Sequence, residues 1–196
     1  MPTTEHVPWR FRCALTLSCI GLMAVTGACV AQTHYGIGRT ATSAEVAAWN
    51  IDVAPDGKNL PAGKGTVAHG KDVYVAQCAS CHGPAGEGAL GDRLAGGMGT
   101  LNTPKPVKTV GSFWPYATTL FDYIRRAMPL NAPQSLSTDD VYAVSGYVLF
   151  LNGLLPESAT VDARSLSSLK MPNRDGFISD PRPDVANAAC MKDCVK

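Results

Sequence analysis

Three stretches of the chain repeat apolar residues at helical spacing, and glycine and proline punctuate what lies between them. In 70–82, Val73, Tyr74 and the Gln77–Cys78 pair recur at 3–4 spacing, and Gly83-Pro84 predicts the stop. In 116–128, Leu120, Tyr123, Ile124 and Ala127 share one face. Arg125 and Arg126 suit the negative end of that helix, and Pro129 closes it. In 138–152, Val141, Val144, Val148 and Leu151 form a stripe with Tyr147 beside it. Ser137 is its predicted cap, Thr138, Asp139 and Asp140 its first turn, and Gly153 its stop. A shorter helix is predicted at Ser43–Trp49, capped by Ser43. The run from Pro55-Asp56-Gly57 to Gly65 reads as turns, and 83–112 as a glycine-rich loop. The expected class is therefore all-α. A helical domain over 70–153 lies between an irregular N-terminal arm, 32–69, and an irregular C-terminal arm, 154–196. The arms are expected to wrap the core or reach a partner.

Residues 1–31 read as an export signal rather than fold. Arg10 and Arg12 precede an apolar run from Cys13 to Thr26, too short to span a bilayer comfortably. Small residues come next, and cleavage is expected after Ala31. An uncleaved anchor, or a lipidated Cys29, are the alternatives. Export places the mature chain in the periplasm, with no membrane span of its own.

Composition changes the picture in one respect. Of 196 residues, 45% are hydrophobic, but only 7% are aromatic, and 19 glycines and 14 prolines make the chain loop-rich. A bound cofactor would supply core material that the side chains lack. Charge adds little. Removing Arg10, Arg12 and Glu5 from 17 basic and 16 acidic residues leaves 15 of each. Nothing in that balance favours nucleic acid, and steering of a partner must come from local patches.

Of seven cysteines, Cys13, Cys19 and Cys29 lie in the signal region. Cys190 and Cys194 form a closely spaced pair that an oxidising compartment can join in a disulfide, although the tight loop opposes closure. The remaining two stand in Cys78-Ala79-Ser80-Cys81-His82. Two thiols three residues apart, with an imidazole immediately after, are the pattern by which haem is attached through two thioethers with the histidine on the iron. A thioredoxin-like pair needs a βαβ setting, and a zinc site needs further ligands close by. The sequence provides neither. Haem c is thus expected on Cys78 and Cys81, one group per chain, with His82 as an axial ligand. His6, His34 and His69 read as ordinary histidines.

Several methionines compete for the other side of the iron. Met128 is pinned by Pro129 at the end of a helix, Met171 also precedes a proline, and Met98 sits among glycines. An open site is the remaining alternative. A thioether ligand would favour electron transfer over oxygen chemistry. Trp114, Tyr116 and Arg125 are candidate donors to the haem propionates, because buried carboxylates need partners. Trp114 and Tyr116 serve equally well as wall and core. No nucleophile–base or carboxylate pair is fixed by the sequence, so the chain is not expected to be an enzyme.

The order of helix, Cys-x-x-Cys-His, glycine-rich loop, helix, Met-Pro and last helix resembles class I cytochromes c. That resemblance implies three main helices around one haem. It also implies a crossing of the first and last helices, for which Gly70, Tyr74, Gly146 and Tyr147 are suitable. The family usually has a proline after the motif whose carbonyl accepts from the proximal histidine. No proline stands near Leu94, which leaves the acceptor of His82 unassigned. A narrower resemblance runs through Tyr35–Arg39, Trp49–Val53, Pro106–Pro129 and Met171–Phe177. These segments are similar to the cytochrome subunit of Sox-type sulfane dehydrogenases and to cytochrome subunits of sulfite-oxidising molybdenum enzymes. The likeness implies that Met128, in Arg-Ala-Met-Pro, is the distal ligand. It also implies a molybdenum-cofactor partner that performs the sulfur chemistry and another cytochrome c as acceptor. A free soluble shuttle, or a haem enzyme or sensor with an open distal site, are the competing functions.

Overall fold

The computed structural model describes residues 37–182. The chain divides after Ser43, and the first unit is described only over 37–43, which are exposed and non-helical up to Ser43. The second unit holds the attachment motif and every candidate ligand and donor named for it. Cleavage after Ala31, the signal-region cysteines and the Cys190–Cys194 pair lie outside the described residues.

Seven helices and two short strands are described: α1 (Ser43–Trp49), β1 (Lys64–Thr66), α2 (Val67–Gln77), α3 (Ala79–His82), α4 (Val110–Phe113), α5 (Ala117–Ala127), α6 (Thr138–Leu151), β2 (Thr160–Asp162) and α7 (Ala163–Ser168). The expected helices at 116–128 and 138–152 appear as α5 and α6, shifted by a residue or less at each end. The expected helix at 70–82 begins earlier, because Thr66 caps it by accepting from the His69 N–H, and it breaks at Cys78 into α2 and α3.

The core is built on the crossing of α2 and α6. At Gly70 an added Cβ would lie 2.0 Å from the Ala143 carbonyl oxygen and 3.0 Å from Tyr147 Cβ. Glycine therefore lets the two backbones touch. One turn on, Tyr74 and Tyr147 pack with ring centroids 5.2 Å apart. Gly146 faces both β2 and the start of α2, since a Cβ there would meet Val161 Cγ2 at 2.8 Å and Val67 Cγ2 at 3.4 Å. Phe121 of α5 packs on Tyr142 of α6 at 4.4 Å.

The all-α expectation is corrected by a small sheet. β1 pairs antiparallel with β2, with Gly65 opposite Val161. Three-residue strands so far apart in sequence leave no periodic trace. The stretch from 154 is likewise less irregular than expected. The Asp162–Ser165 capping box starts α7, and Val161, Leu166 and Met171 are buried. Before β1, the chain lies pinned across α5 and α6. Asp122, itself buried, accepts from Val53 N–H at 2.8 Å, and Arg125 Nη1 donates to the Ile51 carbonyl at 3.1 Å. Thr118 and Tyr142 donate to the carbonyls of Pro55 and Pro61 at 3.0 and 2.8 Å. The turn segment wraps the core because its carbonyls and one amide find side-chain partners there.

At the start of α6, Asp140 accepts from the Ser137 hydroxyl at 2.7 Å and from His69 Nε2 at 2.6 Å. The Ser137 hydroxyl first, and then His69, hold its carboxyl below the usual carboxylate range. A depressed carboxyl contributes stability above its unfolded value and loses it as pH falls through the folded one. Asp140→Asn should therefore flatten the acid limb of the stability curve below about pH 4. Urea midpoints measured from neutral to acid pH check this.

Candidate haem-attachment site

The site is a single helical turn that a break at Cys78 separates from α2. Cys78 closes α2 through its N–H to the Tyr74 carbonyl at 2.8 Å and leaves helical geometry at φ −120°. Its own carbonyl then accepts from Cys81 N–H at 3.1 Å and from His82 N–H at 2.9 Å. Cys78, Cys81 and His82 thus stand at positions i, i+3 and i+4, which share a face. Gly83, at φ +80°, ends the turn, and the buried Tyr74 hydroxyl donates to its carbonyl at 2.8 Å. Burial, with Cys78 and then Glu87 adding to it, pushes the Tyr74 phenol up to about 12, so it remains a donor at physiological pH.

Neither Cys78 nor Cys81 is in a disulfide. In the polypeptide before attachment, burial and then the neighbouring Cys81 push the Cys78 thiol up to about 11. It is a neutral thiol and a poor spontaneous nucleophile.

The acceptor of His82 is a backbone carbonyl that no proline supplies. Gly88 N–H donates to the His82 carbonyl at 2.8 Å and Gly91 N–H to that of Cys81 at 2.7 Å. This tight loop brings the Asp92 carbonyl oxygen to 2.6 Å from His82 Nδ1. A carbonyl only accepts, so the proton is on Nδ1 and the Nε2 lone pair is free for a metal. A Cβ at position 91 would lie 2.9 Å from His82 Cε1, which explains the glycine. Two free thiols on one turn and an imidazole held in the metal-binding tautomer fit haem c.

The candidate distal ligands fall in three environments. Met128 caps α5 through its N–H to the Ile124 carbonyl at 3.0 Å, and its side chain is half-buried against the core. Met171 is 1% exposed within the hydrophobic core, and Met98 is exposed between Gly97 and Gly99, both at positive φ. Cys78, Leu94, Trp114, Met128 and Leu136 are apolar side chains left half-buried at the margin of the core. The suggested propionate donors each have a partner in the fold. Trp114 packs edge-on to Tyr123 at 6.0 Å, Tyr116 lies under the Arg174 guanidinium at 4.2 Å, and Arg125 bonds Ile51.

A solved chain from the sulfane dehydrogenase SoxCD of Paracoccus pantotrophus superposes with a TM-score of 0.71 and 41% identity, covering 82% of each chain. The chain belongs to this family of c-type cytochromes. The family described as cytochrome c oxidase, cbb3-type, subunit III matches residues 65–148 of the cytochrome, which span the attachment turn and most of α6. Two thiosulfate dehydrogenases are also similar. That of Allochromatium vinosum is 35% identical over 81 residues, 41% of this chain and 30% of the relative. That of Stutzerimonas stutzeri is 33% identical over 113 residues, 51% of this chain and 35% of the relative. The cytochrome thus spans about a third of the length of these curated relatives. Its cofactor is haem c and its work is electron transfer. No helix among the described residues is long and apolar enough to cross a membrane.

Sequence reasoning overlooked Asp92, which offers only a backbone carbonyl, and Arg174, whose place over Tyr116 depends on a chain reversal. The Tyr116–Lys170 bridge and the Asn173 Nδ2 bond to the Phe113 carbonyl, at 2.7 Å, bring the two segments together. Both segments belong to the stretches that carried the narrower resemblance, which was the available signal.

Proposed function

We propose that the cytochrome carries one haem in the periplasm and passes single electrons from a molybdenum-cofactor sulfur- or sulfite-oxidising subunit to another cytochrome c. The sulfur chemistry belongs to that partner, and this chain is not itself the catalyst. The observation that carries the reading is the His82 Nδ1 contact with the Asp92 carbonyl, one residue beyond two free thiols. Haem supplies a one-electron couple when it is bound. Cys78 and Cys81 hold it by thioethers, and His82 presents Nε2 to the iron in a fixed orientation.

Met128 is the distal ligand in this reading. Its place at the end of α5, before the buried Pro129, supports it over the core-buried Met171. A thioether in that position closes the iron to small molecules and raises its potential, which suits a relay. Trp114, Tyr116 and Arg125 are the donors toward the haem carboxylates. The relatives named for sulfane and thiosulfate dehydrogenation supply the substrate class.

Met128→Ala should abolish the weak near-infrared band of ferric His–Met ligation and admit carbon monoxide to the ferrous form, with haem still attached. A band that survives transfers the role to Met171. For the partner, molybdenum and haem should co-elute in constant ratio from the native source, and thiosulfate or sulfite should reduce the haem. A cytochrome that elutes alone, and is reduced by no sulfur donor, is a free shuttle instead.

A further inference from the structure

We infer that Asn152, at the C-terminal end of α6, is a positioning residue for His82: it fixes the loop whose Asp92 carbonyl holds the imidazole, and so sets the strength of the iron ligand. The inference rests on the reading of His82 as that ligand.

Asn152 is buried, and each side of its amide has a partner. Nδ2 donates to the Leu94 carbonyl at 3.0 Å and to the Val148 carbonyl at 2.9 Å, and Oδ1 accepts from Gly96 N–H at 3.2 Å. Two carbonyls on one side and an N–H on the other define which way the amide points. The bond to Val148 satisfies a helix-end carbonyl, which is an ordinary capping task. The bonds to Leu94 and Gly96 are not. They clamp the backbone on both sides of Ala95, just beyond the carbonyl that meets His82 Nδ1 at 2.6 Å.

The surroundings show a site built for this amide. A Cβ at Gly111 would lie 2.5 Å from Asn152 Oδ1, so α4 can pack there only as glycine. Thr109 Oγ1 donates to the Gly96 carbonyl at 2.7 Å, and the Gly86 carbonyl accepts from the N–H groups of Leu94 and Ala95 at 2.8 and 3.0 Å. The loop is thus held from its other side by 86 and 109, and Asn152 is the side chain that ties it to the long helix of the core. A histidine ligand whose second nitrogen keeps a good acceptor is more basic and stabilises the oxidised metal. Loosening the clamp should weaken that bond and raise the reduction potential.

The test uses the full holoprotein with two variants and one control. Asn152→Leu removes every polar contact. Asn152→Asp keeps an acceptor for Gly96 N–H but loses both donated bonds. Ser137→Ala removes the cap at the opposite end of α6 and is the control for simple loss of stability. In the ferrous proteins, the His82 Nδ1 proton should exchange about tenfold faster in both Asn152 variants than in the control. Their potentials should rise while that of Ser137→Ala stays at the parent value. Equal exchange and unchanged potential, with the haem still attached and histidine-ligated, overturn the inference and leave the haem reading intact. Loss of histidine ligation in the unmodified protein would instead sink the haem reading itself. Should neither variant yield holoprotein, native-state exchange of the parent decides. The His82 Nδ1 proton and the Gly96 amide should then open together, and separate openings overturn the proposal.

Discussion

Gly70→Val is expected to leave little folded protein. The first atom of the new side chain would lie 2.0 Å from the Ala143 carbonyl oxygen, and 2.5 Å from its carbon. These are backbone atoms of a helix that is buried along most of its length, so they cannot turn aside as a side chain would. The two helices must separate, and the Tyr74–Tyr147 contact separates with them. Overpacking of this kind costs about 3 kcal/mol or more, a large part of the stability of a small domain. Gly146→Ala is the informative comparison. Its new methyl meets the Val161 Cγ2 end at 2.8 Å, which a small shift of β2 relieves, so a loss of about 1 kcal/mol is expected. Thermal unfolding of the two variants, monitored by far-ultraviolet circular dichroism, separates them. Equal losses would show that the α2–α6 crossing is not the tight point of the fold.

The second large effect is on the cofactor. Cys78→Ala with Cys81→Ala removes both attachment points, and the denatured chain should then release all of its haem into acidified organic solvent. Either single replacement should leave one thioether and a retained, spectrally shifted haem. His82→Ala should differ from both, with thioethers formed but the iron poorly ligated. In the proposed reading, the double variant also loses the cofactor's share of the core. Its thermal midpoint should accordingly fall by more than that of either single variant.

The features legible in the sequence are those set by short-range forces. The Cys-x-x-Cys-His pentapeptide is local, so the placing of Cys78, Cys81 and His82 together on one turn was legible from it. The helices α5 and α6 were legible because Pro129 and Ser137 mark their ends with backbone chemistry that acts within a turn. The start of α2 was missed because Thr66 caps it from within a strand. The pairing of β1 with β2, the wrapping of 51–61 over α5 and α6, and the return of 170–177 to 113–116 all depend on contacts between distant segments. They carry no periodic signature.

His82 and Arg125 each find a backbone partner that the sequence left unnamed, and for the same reason. The His82 acceptor was sought as a proline, but any carbonyl serves once Gly91 permits the approach and Asn152 holds the backbone at Leu94 and Gly96. Arg125 was read as a partner for the haem, whereas its guanidinium bonds the Ile51 carbonyl. Nothing within α5 announces that an arm crosses it there. With five donors, Arg125 retains capacity for a second acceptor, and its role toward the haem stands as a proposal.

The most direct test of the central claim is mass spectrometry of the peptide spanning Cys78–His82 from holoprotein of the native source, read with the absorption spectrum of the same sample. The account predicts one haem per chain, both thiols consumed as thioethers, and a low-spin spectrum with the near-infrared band of methionine ligation. An unmodified or disulfide-linked Cys78–Cys81 peptide in protein that nevertheless folds would contradict it.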